Sequence, residues 1–426
     1  MASENTNAES HPRVVRLFGN RDSAEAWAIR DFLKRSVVEF EWTELTGDEE
    51  CRNALGLPSL KNVRLPVVEF PGGERLFGPS LKEVASRLGY VNRAKLRQYD
   101  VSIYGAGPAG LSAAVYAASE GLSTVLIERS AVGGQAGTTS LIENYMGFPQ
   151  GINGADLAER ARQQAVKFGV EILMMEEGVK SEFHHDRIWT DLAEGGKMVA
   201  RANICATGVE WRRLNLPNEG RLLGRGLYYG AGASEAPLCS GEDVFVIGGG
   251  NAAGQAVMHL AAHARSVTML VRDTALAASM SQYLSQRILA EPNVTVRYDA
   301  EITALEGDPS LERIQIASRS TKISDWATTT RLFVAIGGVP NTEWACDTAI
   351  VRDPGGYLVT GPDLLVEGQL PTTWQLKRAP YYLETAVPGS FAAGDVRHRS
   401  IKRVATAAGE GAMAVAFVHR YLEETE

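Results

Sequence analysis

VSIYGAGPAGLSAAVYAASEGLSTVLIERS, residues 101–130, decides the fold. An apolar run reaches Tyr104, a glycine turn follows, then an alanine-rich stretch and a second apolar run ending at Glu128. That order predicts strand, turn, helix and parallel strand. The turn, Gly105-Ala106-Gly107-Pro108-Ala109-Gly110, is G-x-G-x-x-G. Its glycines permit a tight bend, a close approach of backbone to a diphosphate, and close packing of helix on strand. The diphosphate would rest on the helix N-terminus and its partial positive charge. Glu128 stands 18 residues after Gly110, where a carboxylate accepts hydrogen bonds from a ribose hydroxyl. The stretch therefore predicts a dinucleotide site.

Working outward, the pattern recurs. VFVIGGGNAAGQAVMHLAAHARSVTMLVRD, residues 244–273, aligns with it without a gap at an offset of 143, so Gly105 falls on Gly248 and Glu128 on Val271. The second turn, Gly248-Gly249-Gly250-Asn251-Ala252-Ala253, is the G-x-G-x-x-A variant. Val271 removes the carboxylate that would repel a 2′-phosphate, and Arg272 beside it offers that phosphate a partner. Asp273 pulls the other way. The second site leans towards NADP, with NAD open.

Upstream, residues 13–40 read as strand, turn, helix and a second strand. Residues 64–88 read as a hairpin turning at Gly72-Gly73 and a closing helix. The charged stretch 90–100 is the expected linker. Downstream, residues 201–208 and 329–338 read as strands. GSFAAGDVRHRSIKRVATAAGEG (389–411) reads as a strand, a Gly-Asp turn at Gly394-Asp395, and the start of a long C-terminal helix.

Bulk composition narrows the function classes. The 426 residues are too many for one ordinary core, and a formal charge of −8 argues against a nucleic-acid surface. No apolar stretch suits a signal sequence or a membrane span. The four cysteines, Cys51, Cys205, Cys239 and Cys346, lie far apart, which suggests neither a disulfide framework nor a zinc site and fits a reducing cytoplasm. His259 and His263 share a helix face without the glutamate of a zinc-hydrolase motif, so no metal is expected.

Together these residues resemble the thioredoxin reductase family of FAD flavoproteins, over roughly residues 98–426. The likeness rests on GAGPAG, GGQAGTTSLIENYMGFPQGINGADL (133–157), ATG (206–208), GGGNAAG, AIGGVPNT (335–342) and FAAGDV with KRVATAAGEG (391–411). It implies an α/β protein with two Rossmann-like, three-layer units: an FAD unit of residues 98–211 and 338–426, interrupted by an NAD(P) unit of residues 212–337. It implies that FAD is held by Gly105–Gly110, Glu128, Gly134, Gln135, Asn144, Thr207, Gly208, Gly394, Asp395, Arg403, Val404 and Ala405. NAD(P) would take Gly248, Gly250, Asn251, Ala252, Ala253 and Arg272. A homodimer is implied the same way.

Two departures qualify the resemblance. The family's redox Cys-x-x-Cys falls on Gly230-Ala231-Gly232-Ala233, and of the family's arginines for the 2′-phosphate only Arg272 remains. Cys239, a few residues on, reads as a small side chain near a loop. Tyr228 and Tyr229 read as strand packing, with stacking on flavin the other possibility. Residues 1–95 resemble a glutaredoxin or thioredoxin-like fold, with Pro66 at its cis-proline position. Ser23-Ala24-Glu25-Ala26 stands where that fold carries its own dithiol. Ser23 suits a helix cap but cannot exchange thiols.

The expected function is an FAD-dependent NAD(P)H oxidoreductase that passes electrons to an external acceptor without an internal dithiol. That acceptor would be a protein docking on the N-terminal module, or a small molecule. The alternatives are a ferredoxin- or flavodoxin-NADP reductase, and a redox-silent flavin-binding docking protein.

Overall fold

The computed structural model describes residues 14–184, 187–230, 234–372, 374 and 376–425. Ala233 lies outside these residues.

The first module is a four-stranded sheet in the order Phe40–Glu44, Val15–Gly19, Val67–Glu69, Arg75–Phe77. The first pair is parallel and the other two antiparallel. The Leu65–Pro66 peptide is cis. Helix Ala24–Arg35 begins at Ser23, whose hydroxyl accepts from the Ala26 amide at 3.2 Å, satisfying one of the helix's orphan donors. Its buried face carries Ala26, Ile29, Phe32 and Leu33 at helical spacing, and also Arg30. Leu17, Ile29, Phe32 and Val68 share one hydrophobic cluster with Val101, Leu126 and Val132, so this module's core runs into the next.

The second body is a seven-stranded sheet. Glu171–Met174, Thr124–Glu128, Gln98–Tyr104, Lys197–Cys205 and Ser390–Ala392 are parallel. Ile188–Leu192 and Gly178–Phe183 extend it as an antiparallel meander. Helices Pro108–Ser119 and Val404–Glu424 cross closely, because Gly411 leaves room: a Cβ there would meet the Ala109 carbonyl oxygen at 2.0 Å.

The third body is an all-parallel sheet in the order Leu227–Tyr229, Leu332–Val334, Asp243–Ile247, Ser266–Leu270, Val294–Arg297. Its strands are short apolar runs, as burial on both faces requires. Helix Asn251–Ala261 covers it, and a three-stranded antiparallel sheet of residues 300–328 flanks it. A two-stranded ribbon, Val209–Trp211 with Gly338–Pro340, joins the two large bodies. Among the described residues no helix is long and apolar enough to cross a membrane, and no group of three or more His, Cys, Asp or Glu side chains could hold a metal.

Candidate active site

The first glycine turn is built by exclusion of side chains. Gly105 has φ +97°, and a Cβ on it would sit 2.4 Å from the Ala206 carbonyl oxygen. A Cβ on Gly110 would sit 1.8 Å from the Gly105 carbonyl oxygen. Gly107 caps helix Pro108–Ser119, and Pro108 takes the first helical position, where its missing N–H costs nothing. Glu128 is buried and fastens the turn. Its Oε2 accepts from the Ala106 amide and its Oε1 from the Ser130 amide, both at 2.8 Å. Oε1 also accepts from the Ser130 hydroxyl at 3.2 Å, and Oε2 keeps a second lone pair for a ribose hydroxyl.

A second pair of glycines laps over this turn. The Gly133 amide donates to the Ala106 carbonyl at 2.7 Å, and a Cβ on Gly134 would meet Gly107 Cα at 3.2 Å. Gln135 donates through Nε2 to the Val209 carbonyl at 3.0 Å, tying this segment to the ribbon.

These elements enclose a cavity of about 810 Å³. Gly105, Gly107, Pro108, Ala109, Glu128, Gly134 and Gln135 line it. So do Thr207, Gly208, Asp395, Arg403 and Val404, which follow strands Lys197–Cys205 and Ser390–Ala392 at the same carboxyl end of the sheet. Burial raises the Asp395 carboxyl above its usual range, with Lys402 opposing. Cys205 also lines the cavity, but burial pushes its thiol up to about 12, so it supplies no thiolate.

Several expected residues lie elsewhere. Ala106, Gly110 and Gly394 are buried behind the lining, where they set the backbone. Ala405 is exposed on the first turn of its helix, and the next inward position, Ala407, lines the cavity instead. Asn144 is exposed and does not line the cavity. It sits in the loop closed by the Ile142–Ile152 bridge, whose Glu143 turns out to pair with Arg287 at 3.3 Å.

The second glycine turn opens differently. Gly248 has φ +147°, and a Cβ there would meet the Ala335 carbonyl oxygen at 2.3 Å. Gly250 caps helix Asn251–Ala261. Ser279 Oγ donates to the Gly249 carbonyl and Asn251 Oδ1 accepts from the Ser281 amide, each at 2.8 Å. Ala253 and Val271 are fully buried, whereas Arg272 is 76% exposed and lies 3.8 Å from Asp273. Of this turn Ala252 alone reaches the large cavity; Gly248, Gly250, Asn251, Ala253 and Arg272 do not line it.

Gly230, where the resemblance places the family's dithiol, has φ +99°, and a Cβ there would meet Trp211 Cζ2 at 2.9 Å. Trp211 also lines the cavity and stands against this position. Tyr228 is buried and stacks on Phe333 at 5.3 Å, and Tyr229 donates to Glu219 at 2.7 Å. Neither lines the cavity, so both are packing residues. Cys239 is buried and its thiol is pushed up to about 12.

The helix start at Ser23–Ala26 is packed against the third body. A Cβ on Gly224 would meet Trp27 at 2.8 Å and Ala24 Cα at 2.9 Å. Asp22 pairs with buried Arg331 at 2.9 Å and Arg21 with Glu242 at 3.2 Å. Arg30, 2% exposed, lies 4.5 Å from the Trp42 ring centroid and 3.8 Å from Glu235, which is 3% exposed. Burial raises Glu235 to about 7 against the pull of Arg30. Periodicity could have flagged Arg30, a charge in register with an apolar helix face; nothing local marks Glu235 or Arg331.

Known proteins resemble the larger part of this chain. Residues 99–411 match the family model described as pyridine nucleotide-disulphide oxidoreductase. A thioredoxin reductase of Treponema pallidum is 34% identical over 325 residues, 76% of this chain and 97% of the relative. A Bacillus subtilis protein named NADH dehydrogenase is 30% identical over 374 residues, 88% of this chain and 68% of its own length. The crystal structure of Lactococcus lactis thioredoxin reductase superposes with a TM-score of 0.67 at 28% identity, covering 76% of this chain and 99% of that one. With two such glycine turns and this likeness over three quarters of its length, the chain belongs to the pyridine nucleotide-disulphide oxidoreductase family, as a thioredoxin reductase-like oxidoreductase.

Proposed function

We propose that the cavity holds FAD, that the second turn takes NADPH or NADH, and that electrons leave for an external acceptor without an internal thiol relay. The observation that carries this reading is the shared cavity. Ala109 and Ala252, equivalent positions of the two repeats, line the same space. Residues 98–211 and 338–426 would form the flavin unit and residues 212–337 the inserted nicotinamide unit, with a thioredoxin-like module at residues 1–95.

The residues fit the cofactor. Glycines 105, 107 and 134 leave backbone bare where a diphosphate needs close approach. Glu128 presents an open lone pair on Oε2 to a ribose, and Asp395 presents a carboxylate to the ribityl chain. When bound, FAD supplies two-electron chemistry between a nicotinamide and the acceptor. The protein's part is to bind both groups in one orientation and to exclude water from the space between them.

The relatives' name carries a thioredoxin as acceptor, yet this chain has no Cys-x-x-Cys, and its four cysteines are free. The acceptor is therefore reached from the flavin directly. Anaerobic dithionite titration of FAD-loaded protein is expected to end at two electrons per flavin. An end point near four would reveal a hidden disulfide and sink the dithiol-free reading.

A further inference from the structure

Arg35 ends helix Ala24–Arg35, in the module outside the stretch that the family model matches. Its side chain leaves that module. Nη2 donates to the Ala131 carbonyl of the first large body at 2.8 Å, and Nε lies 3.9 Å from where a Cβ on Gly137 would be. The side chain is 14% exposed, and its Nη1 stands 3.6 Å from Asp31. Nε is buried and has no hydrogen-bond partner among the described residues. Arg35 also lines the large cavity, alongside Gly134, Gln135, Ala136 and Thr138.

A buried guanidinium N–H without an acceptor is costly, so such groups are normally met by a partner or a ligand. The cavity wall beside it is the glycine segment that laps over the capped helix, where an anionic diphosphate is favoured. Two anchors hold the helix in place: Trp27 against Gly224, and Arg30 between Trp42 and Glu235. The arginine is thus presented by a fixed element, as tuned recognition of an anion requires.

We propose that Arg35 is a cofactor-positioning residue supplied by the N-terminal module, its guanidinium drawn to the diphosphate of the dinucleotide in the cavity. The module is then one wall of the flavin site as well as a neighbour of it. The inference rests on the flavin reading above.

Reconstitution of full-length apoprotein with FAD tests it, comparing wild type with Arg35→Met and Arg35→Lys. Losing one charge-assisted contact should weaken FAD binding about tenfold in Arg35→Met, with partial recovery in Arg35→Lys. The melting temperature of the apoprotein should fall only slightly, from loss of the Ala131 hydrogen bond, and the salt dependence of FAD binding should be shallower in Arg35→Met. Wild-type-like FAD affinity in Arg35→Met overturns the inference. So does a loss of affinity that comes with an equal destabilisation of the apoprotein, because Arg35 would then be only a strut to Ala131. Failure of the wild type itself to take up FAD would overturn the flavin reading first, and this one with it.

Discussion

The two βαβ repeats carry the same pattern of strand, glycine turn and helix, yet they hold their turns by different means. In the first, Glu128 at the end of the second strand accepts from the Ala106 amide, so the unit fastens itself. In the second, buried Val271 takes that position and cannot accept, and the loop at Ser279–Ser281 fastens the turn through Gly249 and Asn251. The residues that follow diverge as well. Arg129 lines the cavity and pairs with Glu210 at 2.6 Å, whereas its counterpart Arg272 stands in solvent. A common fold motif therefore leaves ligand contacts to the residues around it. The first turn is enclosed by chain around Glu128, Gly134, Thr207 and Asp395 among others, and the second lends Ala252 to that enclosure and is otherwise open.

The sharpest way to break this comparison is to exchange the third small residue of each turn. Gly110→Ala forces a methyl to 1.8 Å from the Gly105 carbonyl oxygen, against backbone that cannot yield cheaply. It should cost about 3 kcal/mol or more and release bound FAD. Ala253→Gly removes one buried methyl and adds backbone freedom, and should cost about 1–2 kcal/mol with FAD retained. Urea denaturation and the flavin-to-protein absorbance ratio read both. Equal penalties would mean that the two turns are not packed differently.

The next effect tests how the N-terminal module sits on the second unit. Glu235 titrates near 7 in the folded protein against an ordinary value of 4.5. Between those values the folded state keeps a proton that the unfolded state has released. Stability from this group is thus fully present below about pH 4.5 and is lost as pH rises through 7, by up to about 3 kcal/mol across the window. Glu235→Gln should flatten that slope in melts taken from pH 5 to 8. A slope as steep as wild type would assign the dependence to other groups and free Glu235 from this role.

The smallest effect concerns the open turn. Arg272 is exposed and close to Asp273, so a 2′-phosphate contact there is worth about 1 kcal/mol or less. Arg272→Ala should lower the NADPH/NADH ratio of kcat/KM by no more than about fivefold. An unchanged ratio removes Arg272 from the coenzyme site, and a collapse of the ratio would show a contact stronger than its exposure allows.

Sequence alone determined both glycine turns, the parallel strands that carry them and the carboxylate at Glu128. These features arise from local rules: apolar period, glycine freedom and helix capping act over a few residues. Tertiary structure alone decided what surrounds the turns. Asp22 and Arg331 meet across 309 residues, and Arg35 reaches Ala131 across 96. In a string of residues, Arg35, Glu235 and Arg331 read as surface charges, because charged side chains are usually solvated, and only Arg30 stands in register with an apolar face. Only the docking of the bodies buries them; Asn144 is exposed in its loop and Trp211 stands over Gly230. Those contacts depend on the summed packing of distant elements, which no short window of sequence records.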